Sequence, residues 1–175
     1  MNRRTIVFLA LATLVITGCG SGDKVAVAPG ETPAPASTGM TMDQVKSSSP
    51  AVLYFVKTDC GSNSEAVPLV QALYEANKDS GKFYVVMNAD EDEAAKWSQD
   101  HKTTFPIISD PNREIIKKYG VQFSQTGIWV DSDLKEVKRF PGYGKKTLED
   151  INKTIAGKGA PAKVDLSAAP ESGLG

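Results

Sequence analysis

The sequence predicts an α/β domain with a central mixed sheet flanked by helices. Three observations carry that prediction. Residues 51–56 ("AVLYFV") and 83–89 ("FYVVMNA") are continuous apolar, β-rich runs, as expected of strands buried on both faces. Between and after them lie segments with helical stripes of apolar residues. Near the end, "TGIWVD" and "EVKRF" flank the polar turn "SDLK", which predicts a hairpin. Strands alternating with helices and then a hairpin predict parallel pairing first and antiparallel pairing last.

Each element has its own justification. The first strand follows Pro50. The helix expected over 63–78 places Val67, Val70, Leu73 and Tyr74 on one stripe, and Ser62 and Glu65 have the spacing of a capping box. After the second strand, residues 92–101 ("DEAAKWSQDH") predict a short helix with Ala95 and Trp97 facing inward. Asp90, Glu91, Asp92 and Glu93 open it, where the helix dipole favours negative charge. "FPIISD" is a brief extended piece. Residues 111–120 predict a helix with Pro111 near its start and Gly120 past its end. After the hairpin, residues 147–156 predict a last helix, with Thr147 and Asp150 as a capping pair ahead of Leu148, Ile151 and Ile155.

The flanks differ in kind. Residues 1–18 combine Arg3 and Arg4, the run "TIVFLALATLVI" and small residues, the pattern of an export leader. The run is shorter than the about 20 residues of a membrane span. Its end, "ITGC", resembles the lipobox of bacterial lipoproteins. That resemblance implies that Cys19 becomes the N-terminus and carries acyl chains, such as palmitate, that anchor the protein in a membrane. More than one chain gives stable anchoring, at about 0.8 kcal/mol per buried CH₂. The alternatives are ordinary cleavage with Cys19 left free, or an uncleaved anchor. Gly20, where an aspartate is absent, implies by the same resemblance the outer membrane, if the cell has one. Residues 19–41 are rich in Pro, Gly, Ala, Ser and Thr and predict a flexible tether; residues 157–175 predict a disordered tail. Residues 42–156 between them suffice for one core.

The order of elements, with particular residues, resembles the thioredoxin-like superfamily in its envelope-anchored, TlpA-type and redoxin branch. "YFVKTDCGSN" stands where that family has a strand followed by a C-x-x-C. Pro68, eight residues after Cys60, stands where the active-site helix carries a proline. "FP…SDP…YGV" resembles the end of the redoxin insertion, and "GIWVDSDLKEVKRFPGY" the final hairpin. The resemblance covers residues 51–155 and implies a thioredoxin-like fold with Cys60 at the attacking position. It aligns Asn63 with the resolving cysteine and Gln125 with the cis-proline that shapes the substrate groove, leaving Asn63, Ser124, Gln125 and Trp129 to border that groove. A dithiol reductase needs a second thiolate to resolve the mixed disulfide. The only other cysteine is Cys19, so a single-chain reductase of the C-x-x-C kind is excluded. Peroxiredoxins carry a Thr or Ser three residues before their reactive cysteine. Here Lys57 holds that position and Thr58 is one residue closer, so peroxidase chemistry is not expected.

The chemistry of Cys60 itself stays open between two readings. A strand-to-helix turn lowers a thiol pKa through unpaired N–H groups and the helix dipole, and Lys57 adds to this. Asp59 opposes it as a like charge beside the thiolate. One reading is a reactive monothiol that exchanges with exported protein thiols or small thiols; the other is a non-catalytic thioredoxin-fold binding module with an inert cysteine. Composition excludes other classes. The formal net charge is -1, and it becomes -3 once residues 1–18, with Arg3 and Arg4 and no acid, are removed. No basic stripe suggests nucleic acid. His101 is the one histidine and sits in a polar run, so no metal site and no cofactor are expected.

Overall fold

The computed structural model describes residues 36–173. The expected leader, Cys19 and most of the expected tether lie outside the described residues. In chain order the elements are α1 (Met42–Ser48), β1 (Ala51–Val56), α2 (Asn63–Asn77), a 3₁₀ turn (Lys78–Ser80), β2 (Phe83–Met87) and α3 (Glu91–His101). There follow β3 (Ile107–Ser109), α4 (Glu114–Lys118), β4 (Thr126–Val130), β5 (Glu136–Pro141) and α5 (Lys145–Ala156).

The strands form one sheet in the order β3-β2-β1-β4-β5. β1 pairs in parallel with β2, and β2 with β3; β4 is antiparallel to both β1 and β5. This is the expected mixed α/β sheet. Every β1 and β2 residue is buried, because alternate side chains feed two separate cores. Val52, Tyr54, Val56, Val85 and Met87 pack with α2 and α5, while Leu53, Phe55, Tyr84 and Val86 pack with Val45 of α1 and with Ile116 and Tyr119 at α4.

Several expectations change. The expected tether ends too late. Ile107 N–H donates to Ser37 O (2.9 Å) and Met40 N–H to Ile107 O (3.2 Å), so residues 37–40 line the free side of β3. Thr41 and Gln44 form a capping box that starts α1. Residues 157–173 are no disordered tail. Leu166 is buried, Val164 and Ala169 join the α2/α5 core, and Asn152 Nδ2 donates to Ala162 O. The segment returns along α5 until Lys145 N–H donates to Pro170 O and Tyr143 N–H to Gly173 O, both at 2.8 Å.

Those last contacts explain the start of α5. It begins at Lys145, two residues earlier than expected, with Gly144 as its N-cap and no side-chain cap. Backbone carbonyls of the returning segment supply acceptors at this end. Thr147 is no cap; its hydroxyl donates to Pro141 O. Gly144 fits because a Cβ there would meet Gly173 N at 2.9 Å. The capping box expected at Ser62 is also absent: Ser62 is already helical (φ -77°, ψ -4°) and makes no side-chain cap bond. At α3 the acidic opening is as expected, with Asp90 and Glu93 forming the box. Of the two residues expected inward there, Trp97 is buried and Ala95 only half-buried. α4 is shorter than expected. Asp110, nearly fully buried, accepts the N–H groups of Glu114 (2.7 Å) and Ile116 (2.8 Å) from beyond the Pro111 turn.

Candidate functional site

Cys60 sits between β1 and α2, partly exposed and unpaired. The turn that holds it is fixed on both sides. Lys57 N–H donates to Ser124 Oγ (3.0 Å) and Thr58 N–H to Asn88 Oδ1 (2.9 Å). Cys60 N–H donates to Lys57 O, and Asn63 N–H donates to Cys60 O. Sγ of Cys60 lies 3.1 Å from Oγ of Ser62. The residue expected to cap α2 therefore turns its hydroxyl to the thiol instead.

Opposing influences act on the thiol. Burial is the largest and pushes its pKa up; the Ser62 hydroxyl, the Ser62 N–H and the Ser124 hydroxyl pull it down, and Asp59 pushes it up again. The hydrogen bonds prevail together, and the thiol lies below its ordinary value. Ser124 is suited to this part. Its oxygen accepts the Lys57 N–H, which leaves its own proton free for sulfur. The Ser62 N–H is one of the donors that an α-helix start leaves without an intrahelical partner. Lys57 does not contribute as expected: its ammonium group is held by the Gln122 carbonyl.

Asn63 and Gln125 meet. Gln125 Nε2 donates to Asn63 Oδ1 at 2.7 Å, and Asn63 Nδ2 donates to Lys57 O (2.9 Å) and Thr58 O (3.3 Å). Gln125 is fully buried, has φ +58°, and gives its N–H to Phe55 O at 2.8 Å. A buried amide pair thus ties the β1–α2 turn to the residue that leads into β4. Only Oε1 of Gln125 is left without a donor.

The expected groove is corrected in two respects. Asn63, Ser124 and Gln125 do converge beneath Cys60, but they are 4%, 3% and 0% exposed and offer no surface to a partner. These three side chains therefore lie beneath the surface around Cys60 and do not form it. Trp129 does not belong to the site. It pairs with Val52, whereas Thr126 pairs with Phe55, so it lies toward the far end of β1 from Cys60. His101 is exposed and stacks on Trp97 with ring centroids 4.0 Å apart.

Sequence reasoning missed three neighbours. Ser62 was legible as a hydroxyl two residues from the thiol. Phe123 directly precedes Ser124 and is 65% exposed. Tyr143, buried after β5, donates its hydroxyl to Glu65 Oε2 at 2.9 Å. Its pKa is raised by that bond first, then by burial, by the Glu65 charge and by Cys60, which puts Tyr143 and Glu65 at the same end of the sheet as the thiol.

Comparison with known proteins gives this geometry a family. Thiol-disulfide oxidoreductase ResA of Bacillus thuringiensis subsp. konkukian is 31% identical over 106 residues, which are 59% of this chain. The match spans 61% of that relative's length. A thioredoxin-like protein solved in its oxidised form superimposes with a TM-score of 0.52 at 17% identity, covering 61% of this chain and 77% of its own. A thiol:disulfide interchange protein from Bacteroides sp. superimposes with a TM-score of 0.51 at 19% identity, covering 65% and 78%. At such identities these two likenesses bear on the fold, which is thioredoxin-like. The AhpC/TSA family model matches residues 31–139, from before α1 into β5 and across the whole Cys60 turn, and the chain belongs to that family of thioredoxin-like redoxins.

Proposed function

We propose that the protein is an exported, lipid-anchored thioredoxin-like protein whose Cys60 carries out monothiol thiol–disulfide exchange. The observation that carries this reading is the Cys60 thiol itself. It is partly exposed at a helix start and held below its ordinary pKa by hydrogen bonds from Ser62 and Ser124 against burial. A lowered pKa enlarges the share of thiolate, which is the nucleophile that exchange needs. The name of the relative, a thiol-disulfide oxidoreductase, supports the reaction class. Asn63, at the position of a resolving thiol, is committed to buried hydrogen bonds, so the mixed disulfide waits for an outside thiol.

In that reaction the Cys60 thiolate attacks one sulfur of a disulfide. A new S–S bond forms to Cys60 as the old one breaks, and the leaving sulfur departs as a thiolate that takes a proton from water. Cys60 is oxidised and the leaving sulfur reduced. A second, outside thiolate then attacks the substrate sulfur of the mixed disulfide; a new S–S bond forms between those two sulfurs as the bond to Cys60 breaks, and Cys60 leaves as thiolate. The test is the pH dependence of Cys60 alkylation in the folded protein. The expected midpoint lies below that of a free cysteine near 8.5. A midpoint at or above that value would sink the proposal.

The anchoring half rests on Arg3, Arg4, the apolar run and "ITGC". Fatty-acid labelling is expected to mark the wild type and not Cys19→Ser. Equal labelling of both would refute it.

A further inference from the structure

We infer that Tyr143 is a positioning residue for the Cys60 thiol, and that the C-terminal segment acts on the thiol through it; this rests on the monothiol reading. The need for such a residue lies in the start of α2. Ser62 places its hydroxyl 3.1 Å from Sγ of Cys60, and its carbonyl accepts the N–H groups of Glu65 (3.1 Å) and Ala66 (2.9 Å). The first turn of α2 therefore has to stay wound for Ser62 to stay at the sulfur. α1 and α3 begin with capping boxes, but α2 has no side-chain cap, because its N-cap hydroxyl is turned to the thiol. A helix start without a cap frays more readily.

The missing fastening comes from far along the chain. Tyr143, 6% exposed, donates its hydroxyl to Glu65 Oε2 at 2.9 Å across 78 positions of sequence. Glu65 is the residue whose N–H the Ser62 carbonyl holds, so the tyrosine's grip is one hydrogen bond from the residue beside the sulfur. Tyr143 is itself seated by the C-terminal segment. Its N–H donates to Gly173 O (2.8 Å), and a Cβ at Gly173 would meet Cδ1 and Cδ2 of the ring at 3.1 Å. Leu166, buried, and Ala169, packed against the same core, anchor that segment. A buried phenol hydroxyl needs a partner, and Glu65 supplies it. The contacts run in series from Gly173 through Tyr143, Glu65 and Ser62 to Cys60.

The test is the pH profile of Cys60 alkylation in the full chain, read by the mass of the Cys60-bearing fragment, which separates it from Cys19. Tyr143→Phe removes only the hydroxyl and should raise the midpoint. Below both midpoints alkylation should slow by about fivefold, the factor that one hydrogen bond of ordinary strength represents. Well above them the rates should converge. Gly173→Ala should shift the midpoint the same way, by displacing the segment from the ring. Neither change alters a charge around the thiol. Lys57 and Asp59 flank it in the turn, Glu65 follows in α2, α3 brings Glu93, Lys96 and Asp100 to Thr58, and Lys145 and Lys146 open α5. Glu65 separates position from charge. Glu65→Gln keeps an acceptor for the tyrosine and should not raise the midpoint, whereas Glu65→Ala should raise it as Tyr143→Phe does. Loss of a like charge alone would lower it in both.

Tyr84→Phe controls for general loosening. It removes a hydroxyl bond to Gly81 O toward the other end of the sheet, and should leave the midpoint in place. An unchanged midpoint in either Tyr143→Phe or Gly173→Ala, or an equal shift in Tyr84→Phe, overturns the inference and leaves monothiol exchange standing. So does a lowered midpoint in Glu65→Ala. A wild-type midpoint at or above that of a free cysteine sinks the monothiol reading, and the inference with it.

Discussion

At the residue scale, the site depends on two hydroxyls and one amide pair. Ser62→Ala removes the hydroxyl 3.1 Å from Sγ and should raise the Cys60 midpoint. Because a higher pKa leaves less thiolate at neutral pH, alkylation at pH 7 should slow, while rates well above both midpoints converge. A pH-rate profile of wild type and variant checks this. Asn63→Cys makes a different point. It should permit a disulfide with Cys60 under oxidation, yet it strips Gln125 of its only side-chain partner in a site without water access. An unsatisfied buried amide costs about 1–3 kcal/mol, and the denaturant midpoint of the reduced variant should fall accordingly. A proline at 125 does not suit this backbone. Gln125 has φ +58° and donates its N–H to Phe55, whereas proline holds φ near -65° and has no N–H. Gln125→Pro should destabilise by more than about 1 kcal/mol, and unchanged thermal unfolding would show that the loop re-forms freely.

At the element scale, the start of α5 depends on the end of the chain. Pro170 and Gly173 carbonyls accept the Lys145 and Tyr143 N–H groups, and Gly144 leaves room for that approach. The backbone of Gly144 (φ -62°, ψ 157°) suits any residue, so an added methyl should be harmful only through the returning segment. Gly144→Ala is therefore expected to destabilise the full chain by about 1–3 kcal/mol, the usual cost of overpacking. In a chain ending at residue 161 the same substitution should cost nothing. Denaturant unfolding of the four proteins closes this cycle, and equal costs in both lengths would show that the contact is weak. The contrast with α3 is instructive. There Asp90 and Glu93, both local in sequence, do the capping.

At the scale of the whole molecule, the sheet order β3-β2-β1-β4-β5 brings three distant parts of the chain to one end: the Cys60 turn, Ser124 and Gln125 before β4, and Tyr143 after β5. One thiol lies there, and Cys60 is the only free cysteine among the described residues. Exposed to a protein disulfide, the chain should accumulate a one-to-one mixed disulfide at Cys60 and release a single equivalent of thiol. Catalytic turnover should appear only with an added small thiol to clear it. Mass measurement of the trapped adduct and titration of the released thiol test this. Multiple turnovers without an outside thiol would mean that a second group resolves the adduct.

The strands, most of the helices and the thioredoxin-like fold were legible because apolar periodicity and a family pattern around Cys60 are local properties of sequence. So was the α3 cap. Thr41 and Gln44 carry the same kind of signal for α1, next to a Pro- and Gly-rich stretch whose composition points the other way. Tertiary structure alone decided the rest. Ser62 could serve either its helix or the thiol, and only the placement of Cys60 against Ser124 selects the thiol. Asn63 and Gln125 lie 62 positions apart, and they share a buried hydrogen bond only because β1 and β4 pair. Trp129 could be assigned to the far end of the sheet only from strand register. Residues 157–173 look polar and unpatterned, yet they pack because α5 and Tyr143 offer N–H donors and an apolar seat for Leu166. Local composition determines which segments become strands and helices; which polar groups find partners is decided by the segments that folding brings together.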